Sequence, residues 1–151
     1  MSNPLKRHPA LQPLSREHHY GLLLSWKIRE GFKRNIAPER IKKYANWFWE
    51  NHLHPHFNTE EKYLFSILPA QNEHIKKALS EHRRLKRLFA EEGEPTRTLS
   101  LIEEELENHI RFEERVLFNE IQQHATPEQL ELIEQQHQHV PADNWNDEFW
   151  K

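Results

Sequence analysis

Two His-x-x-x-Glu pairs, His56/Glu60 and His109/Glu113, alternate along this chain with two single histidines, His18 and His82, each in its own amphipathic segment. On an α-helix a residue four positions on lies about 40° round and about 6 Å along, so each pair aims one imidazole and one carboxylate at a common point. Four imidazoles and two carboxylates brought together from four segments make a donor set suited to two metal ions. No other pattern constrains the fold as strongly, because the six groups meet only if four helices pack side by side.

The remaining sequence agrees with a helical reading. A chain of 151 residues is most simply one domain with a single core. It has three glycines, and its charged residues are Glu, Lys and Arg far more than Asp, a composition that favours helix. The formal charge is only −3, and the basic cluster Arg83, Arg84, Lys86 and Arg87 is offset by acidic runs such as Glu103 to Glu105, so nucleic acid is not the expected partner. With no cysteine there are no disulfides or thiolate ligands, and a metal must be held by nitrogen and oxygen. No apolar stretch reaches the ~20 residues that span a bilayer, and the first residues lack a signal-peptide core; a cytoplasmic protein without a membrane partner is expected.

Along the chain, residues 1–14 carry Pro4, Pro9 and Pro13 and read as an extended N-terminal arm. The bundle proper spans 15–121. Ser15 is the expected cap of a first helix running to about Phe32 with Leu22, Leu23, Trp26 and Ile28 apolar. A second starts near Pro38 and runs towards Leu68, with Pro55 kinking or opening it just before His56. The third is expected over Asn72 to Ala90 and the fourth over about Thr96 to Ile121. Residues 122–151 hold a short fifth helix, opened by the capping box Thr126-Pro127-Glu128-Gln129 and reaching about His139, and an aromatic tail whose Trp145, Phe149 and Trp150 should dock on the bundle.

Counting residues supports a common layer. From the turn near Pro69, the midpoint of the His56/Glu60 pair lies roughly 12 residues back and His82 roughly 12 forward, so the two face each other in an up-down arrangement. The other turns leave mismatches of about five residues, roughly 7 Å, which a kink at Pro55 and unequal loops absorb. The ferritin-like alternative requires Glu-x-x-His on two helices, and only Glu134 to His137 fits.

The segments His-Phe-x-x-Glu-Glu at 56 to 61 and His-Ile-Arg-Phe-Glu-Glu at 109 to 114, with the lone His18 and His82, resemble hemerythrin-like proteins of the HHE cation-binding type. The resemblance covers about residues 15 to 121. It implies an all-α fold, an antiparallel up-down four-helix bundle with the short fifth helix and tail added. It also implies a non-haem di-iron centre, two iron ions with an oxo or hydroxo bridge. By that resemblance His18 and His56 bind one iron, His82 and His109 the other, and Glu60 and Glu113 bridge them.

Two features depart from the oxygen-carrying hemerythrins. Those take two histidines at HxxxH spacing from the third helix, whereas Ala78 and Lys86 stand four residues either side of His82. The fourth-helix carboxylate is a Glu four residues after His109 where the carriers use Asp five on. One nitrogen ligand is therefore missing, and an open coordination position is expected. Among the other histidines, His52, His54, His124, His137 and His139 are assigned to the surface or the surroundings of the site. His19 points about 100° from His18, and His74 approaches the vacancy only if its helix bends. Glu61 and Glu114 are read as flank ion pairs, and Trp26, Trp47, Phe48, Phe57 and Phe112 as core or pocket wall and not as parts of an electron-transfer path.

Four imidazoles and two carboxylates suit iron, zinc, manganese or cobalt; dinuclearity and the resemblance favour iron. The leading functional expectation is a binding or sensing protein that takes O2, or a related small ligand such as NO or peroxide, at the open position. A sensor would signal through a protein partner. The competing expectations are a catalase- or peroxidase-like enzyme, with Tyr20, Tyr63 or His19 as proton donor, and an iron storage or supply protein.

Overall fold

The computed structural model describes residues 6–136 and 145–151, and every regular element among them is helical. Helix α1 (Gln12–Lys33) begins three residues before the expected cap at Ser15. Pro13 in the first turn replaces an N–H that would have no partner there, so the helix needs no side-chain cap and Ser15 lies inside it. Residues 6 and 7 belong to no regular element, while His8 to Leu11 already form a turn closed by the Leu11 N–H to the His8 carbonyl. Asn35, at φ 59, then reverses the chain, a left-handed position that Asn tolerates.

The second segment is broken more than a single kink would break it. It comprises α2 (Pro38–Phe48), a π-helical turn (Trp49–Leu53), α3 (His54–Thr59), a second π turn (Glu60–Leu64) and a 3-10 turn (Phe65–Ile67). Pro55 explains the first π turn: it has no N–H to give, so the ladder widens ahead of it and the His54 N–H reaches back five residues to the Trp49 carbonyl. Helix α4 (Glu73–Ala90) is capped by Asn72, whose side chain accepts from the His74 and Ile75 N–H groups.

Helix α5 (Pro95–Phe112) passes into a third π turn (Glu113–Leu117) and then α6 (Phe118–His124). Thr126 and Gln129 bond each other's backbone N–H groups across the start of α7 (Pro127–Gln136). His137 and His139, and the end expected for that helix, lie outside the described residues.

Helix α5 packs along α1, α4 and α2, and α1 also packs on α2. Two apolar clusters result. One gathers Leu24, Ile28, Ile41, Tyr44, Leu85, Leu99, Ile102 and Leu106, with Phe149 of the tail buried in it and Trp145 and Trp150 against it. The other gathers Leu11, Leu14, Leu64, Phe65, Ile75, Ala78, Leu117, Phe118 and Ile133. His18 on α1 lies between Leu14 of the second cluster and Leu24 of the first, and His82 on α4 likewise lies between Ala78 and Leu85. A polar layer thus sits between two apolar ones.

Trp26, expected in the core, is 43% exposed. No described helix is long and apolar enough to cross a membrane.

Candidate metal centre

His18, His56, Glu60, His82, His109 and Glu113 are all buried, and both glutamates have no exposed surface. Bare carboxylates in such a layer are costly unless a cation faces them. His18 Nε2 lies 2.8 Å from Glu113 Oε1 and 3.2 Å from Glu60 Oε2, and His56 Nε2 lies 3.1 Å from Glu60 Oε2. On the other side His82 Nε2 lies 3.1 Å from Glu60 Oε1 and 3.5 Å from Glu113 Oε2, and His109 Nε2 lies 3.2 Å from Glu113 Oε2. Each carboxylate sends one oxygen to each pair of histidines. The result is two four-donor groups, His18/His56/Glu60/Glu113 and Glu60/His82/His109/Glu113, with both glutamates in common.

The donor geometry fits metal ions better than hydrogen bonds. His56, His82 and His109 Nε2, Glu60 Oε1 and Glu113 Oε2 are buried and have no partner in hydrogen-bond orientation, although their neighbours are close. Their lone pairs face a shared space instead of one another. Adjacent donors on one ion at about 2.1 Å are separated by roughly 3.0–3.4 Å, close to the 2.8–3.5 Å seen here.

The opposite nitrogen of every imidazole is held by its own carboxylate. His18 Nδ1–H donates to Glu114 at 2.8 Å, His56 to Glu17 at 2.8 Å, His82 to Glu61 at 2.7 Å and His109 to Glu81 at 2.7 Å. A carboxylate acceptor requires the proton on Nδ1, so Nε2 is left to bind metal, and the imidazole becomes a stronger donor. Glu61 and Glu114 therefore do more than pair on a helix flank: each holds an imidazole, and Glu114 pairs with Arg7 as well. The outer four carboxylates also make the centre more anionic than its inner ligands alone suggest.

The signal for these four residues is a repeat. Glu17-His18 recurs as Glu81-His82, and His-x-x-x-Glu-Glu-(Lys/Arg)-x-Leu-Phe occurs at 56 to 65 and again at 109 to 118. Each adjacent glutamate pair opens a π turn, with the first carboxylate turned to the metal space and the second to the histidine of a neighbouring helix.

Burial by itself would lower the basicity of these imidazoles, but the carboxylates outweigh it. His56 is raised to about 9 by Glu60 and Glu17, and His18, His82 and His109 are raised as well. Burial and the neighbouring Glu113 would raise Glu60, yet His56 and His18 hold it at about 2. Without metal the cluster keeps its charge balance by holding protons, and metal must displace them.

The other candidates fall elsewhere. His19 is exposed, His74 bonds Glu120, and His124 bonds the Glu120 carbonyl. Tyr63 reaches Gln136. Tyr20 and His52, with Phe48, Leu53, Phe57 and Ile110, line a cavity of about 10 Å³ bordered by His18 and His56. Ala78 is sealed in the second apolar cluster, and Lys86 is exposed beside a pocket of about 150 Å³ that His82 borders. The position of the absent imidazole is thus occupied by close packing on one side and solvent on the other. No protein-family model, curated protein or solved structure matches the chain.

Proposed function

We propose that the chain is a non-haem di-iron protein of the hemerythrin-like HHE type, an antiparallel up-down four-helix bundle that binds or senses O2 or a related small ligand. The observation that carries this reading is the pair of four-donor groups that share Glu60 and Glu113. Iron in such a site would supply reversible one-electron chemistry and an open coordination position.

The chain's own residues place the enclosed space at the other half of the centre from the one that lacks an imidazole beside His82. The cavity beside His18 and His56 has room for about one water-sized molecule, which excludes an organic substrate and favours the smallest ligands. Phe48, Leu53, Phe57 and Ile110 keep it largely apolar, which favours an uncharged ligand over bulk water. The four outer carboxylates fix the ring orientations, so the donors need no rearrangement when metal binds.

Peroxide turnover is the second reading, and it is favoured by Tyr20, His52 and Glu17 in the wall of the same cavity, where a proton can be given or taken. Elemental analysis of protein expressed in iron-replete cells should return about two metal ions per chain. Anaerobic titration of the Fe(II) form with O2, followed optically, should then give a new absorption that reverses on degassing for a carrier or sensor. Evolution of O2 from added peroxide would mark the enzyme. One ion or none in well-folded protein would overturn the dinuclear reading.

A further inference from the structure

Four of the five tryptophans, Trp47, Trp49, Trp145 and Trp150, lie in aromatic contacts that lead away from the candidate metal centre, and the fifth, Trp26, takes part in none of these contacts. The cavity that His18 and His56 border is walled by Phe48 and His52. The His52 ring lies 5.1 Å from Phe48 and 5.1 Å from Trp47. Trp47 in turn lies 5.4 Å from Trp145 and 5.9 Å from Tyr44, both part of the tail's docking site. A shorter branch leaves the other half of the centre, where Phe57 stacks on His82 at 3.8 Å and 7° and meets Trp49 at 5.7 Å. Trp49 and Trp145 are both partly exposed. Rings at these centroid separations are in van der Waals contact.

We propose that these aromatic residues conduct one-electron equivalents between the metal centre and the protein surface, with exits at Trp145 and Trp49. The inference rests on the di-iron reading and adds to it a route by which oxidising equivalents leave the ligand imidazoles. Indole and phenol are the side chains most readily oxidised by one electron in a protein lacking cysteine, so the hops run between Trp and Tyr rings, with Phe57 on one branch and the cavity wall of Phe48 and His52 on the other as the packed medium between them and the ligand imidazoles.

The balance is simple: reduction of one hydrogen peroxide to two waters takes two electrons and two protons. Each hop supplies one electron inward and leaves an indole radical cation, and the two protons that water formation takes up come from solvent. Two hops complete the step. An external one-electron donor such as ascorbate then restores the indole; without one, O2 traps the radical as an oxygenated tryptophan.

Lys27 directs the outer end. Its ammonium donates to Tyr44 Oη at 2.9 Å and lies 3.9 Å from the Trp150 ring centroid. A cation there opposes a second positive charge on either ring, so Trp145 and not Trp150 is the exit.

The test is a peroxide oxidation map. Iron-loaded and chelated protein are treated with hydrogen peroxide in air without reductant, and oxygenated residues are located by peptide mass spectrometry, with freeze-quenched electron paramagnetic resonance for the radical. In the loaded protein Trp145 and Trp49 should be oxygenated several-fold faster than Trp26, although Trp26 is 43% exposed. In chelated protein the order should follow exposure, with Trp26 first. Trp47→Phe keeps a ring in the packing but removes the oxidisable step, so oxidation at Trp145 should fall several-fold, that at Trp49 should persist, and the lost share should appear on His52 and His56.

Trp26 reacting as fast as Trp145 in loaded protein, no oxidised tryptophan at all, or an unchanged Trp145 in Trp47→Phe would each overturn the conduit. If iron is bound and peroxide consumed while the map follows exposure, only this inference fails. If no iron is bound, the di-iron reading fails first and the conduit with it.

Discussion

The half of the centre built on His18 and His56 and the half built on His82 and His109 are near copies in their donors and differ in what surrounds them. Each has two imidazoles, each imidazole has an outer carboxylate, and both halves share Glu60 and Glu113. Phe118 beside His18 at 4.9 Å matches Phe65 beside His82 at 5.3 Å. The repeat breaks one residue after each His of the His-x-x-x-Glu pairs. Phe57 lies flat on His82, whereas its counterpart Ile110 presses on Gly21, where an added Cβ would meet Ile110 Cδ1 at 2.6 Å. The small cavity borders only the His18/His56 half. The same donors can therefore hold two ions while the space beside them differs, a small and largely apolar cavity at His18 and His56 and a larger pocket with charged walls at His82.

The largest effect should come from the groups the halves share. Glu60→Gln or Glu113→Gln removes a charge and a donor from both four-donor groups at once, so metal content should drop from about two ions towards none while helicity persists. Elemental analysis with circular dichroism checks it. If one ion remained firmly bound, the halves would be independent and the sharing of carboxylates would be wrong.

Next in size is the response to pH, which has opposite signs in metal-free and loaded protein. His56 at about 9 is above its unfolded value of about 6.5, so its contribution to metal-free stability is complete below about pH 6.5 and is lost as pH rises through about 9. Glu60 at about 2 contributes above its unfolded value of about 4.3 and loses that contribution as pH falls through about 2. Metal-free protein should therefore melt at a falling temperature between about pH 6.5 and 9, whereas metal affinity should rise over the same interval because fewer protons compete. Parallel melting curves of chelated and loaded protein would contradict the exchange of protons for metal.

A smaller effect separates the outer carboxylates. Glu61→Gln and Glu114→Gln each leave the inner donors intact but weaken one imidazole, and such changes cost about 10–100-fold in metal affinity. Glu61 is 42% exposed and Glu114 27%, so water compensates better at Glu61 and the Glu114 variant should lose more. Competitive titration with a coloured chelator measures both. Equal losses would mean that exposure of the outer carboxylate does not distinguish the halves.

The inner donors were legible in the sequence because HxxxE spacing on a helix is a statement about one element. What joins elements was not. Glu17 and Glu81 precede a histidine directly, where helical geometry turns a residue about 100° away, so each serves an imidazole on another helix. Glu61 and Glu114 depend on π turns, whose wider ladder leaves no mark in apolar periodicity. Pro55 did mark a break, and the π turn preceding it is that break. Trp26 shows the limit of apolar spacing, since it lies on a helix whose buried face runs through His18, Gly21, Leu24, Ser25 and Ile28 and leaves the indole in solvent.

The finest difference between the halves is Arg7. Its guanidinium bonds Glu114 Oε2 at 2.9 Å and the Glu114 carbonyl at 2.8 Å, and lies 5.4 Å from the Phe118 ring centroid, the same ring that packs on His18. Glu114 thus divides its charge between Arg7 and His18, and its carboxyl is held below the usual range; burial opposes this, while His18, then Ser15 and then Arg7 favour the charged form. Glu61, the counterpart on His82, sits beside a pocket lined by Arg83 and Lys86 but makes no ion pair with either. An acceptor already paired with a cation draws less on the imidazole N–H, so His18 should be a slightly weaker metal donor than His82. Arg7→Gln should free Glu114 to bond His18 more strongly, while removing an ion pair worth about 0.5–1 kcal/mol to folding. The expected result is a small drop in melting temperature with a small gain in affinity confined to one of the two metal ions, read as a widened gap between the two steps of a chelator titration. If both ions weakened together, Arg7 would act only by holding residues 6–11 against α6 and the third π turn, and the inequality of the halves would lie in Phe57 and Ile110 alone.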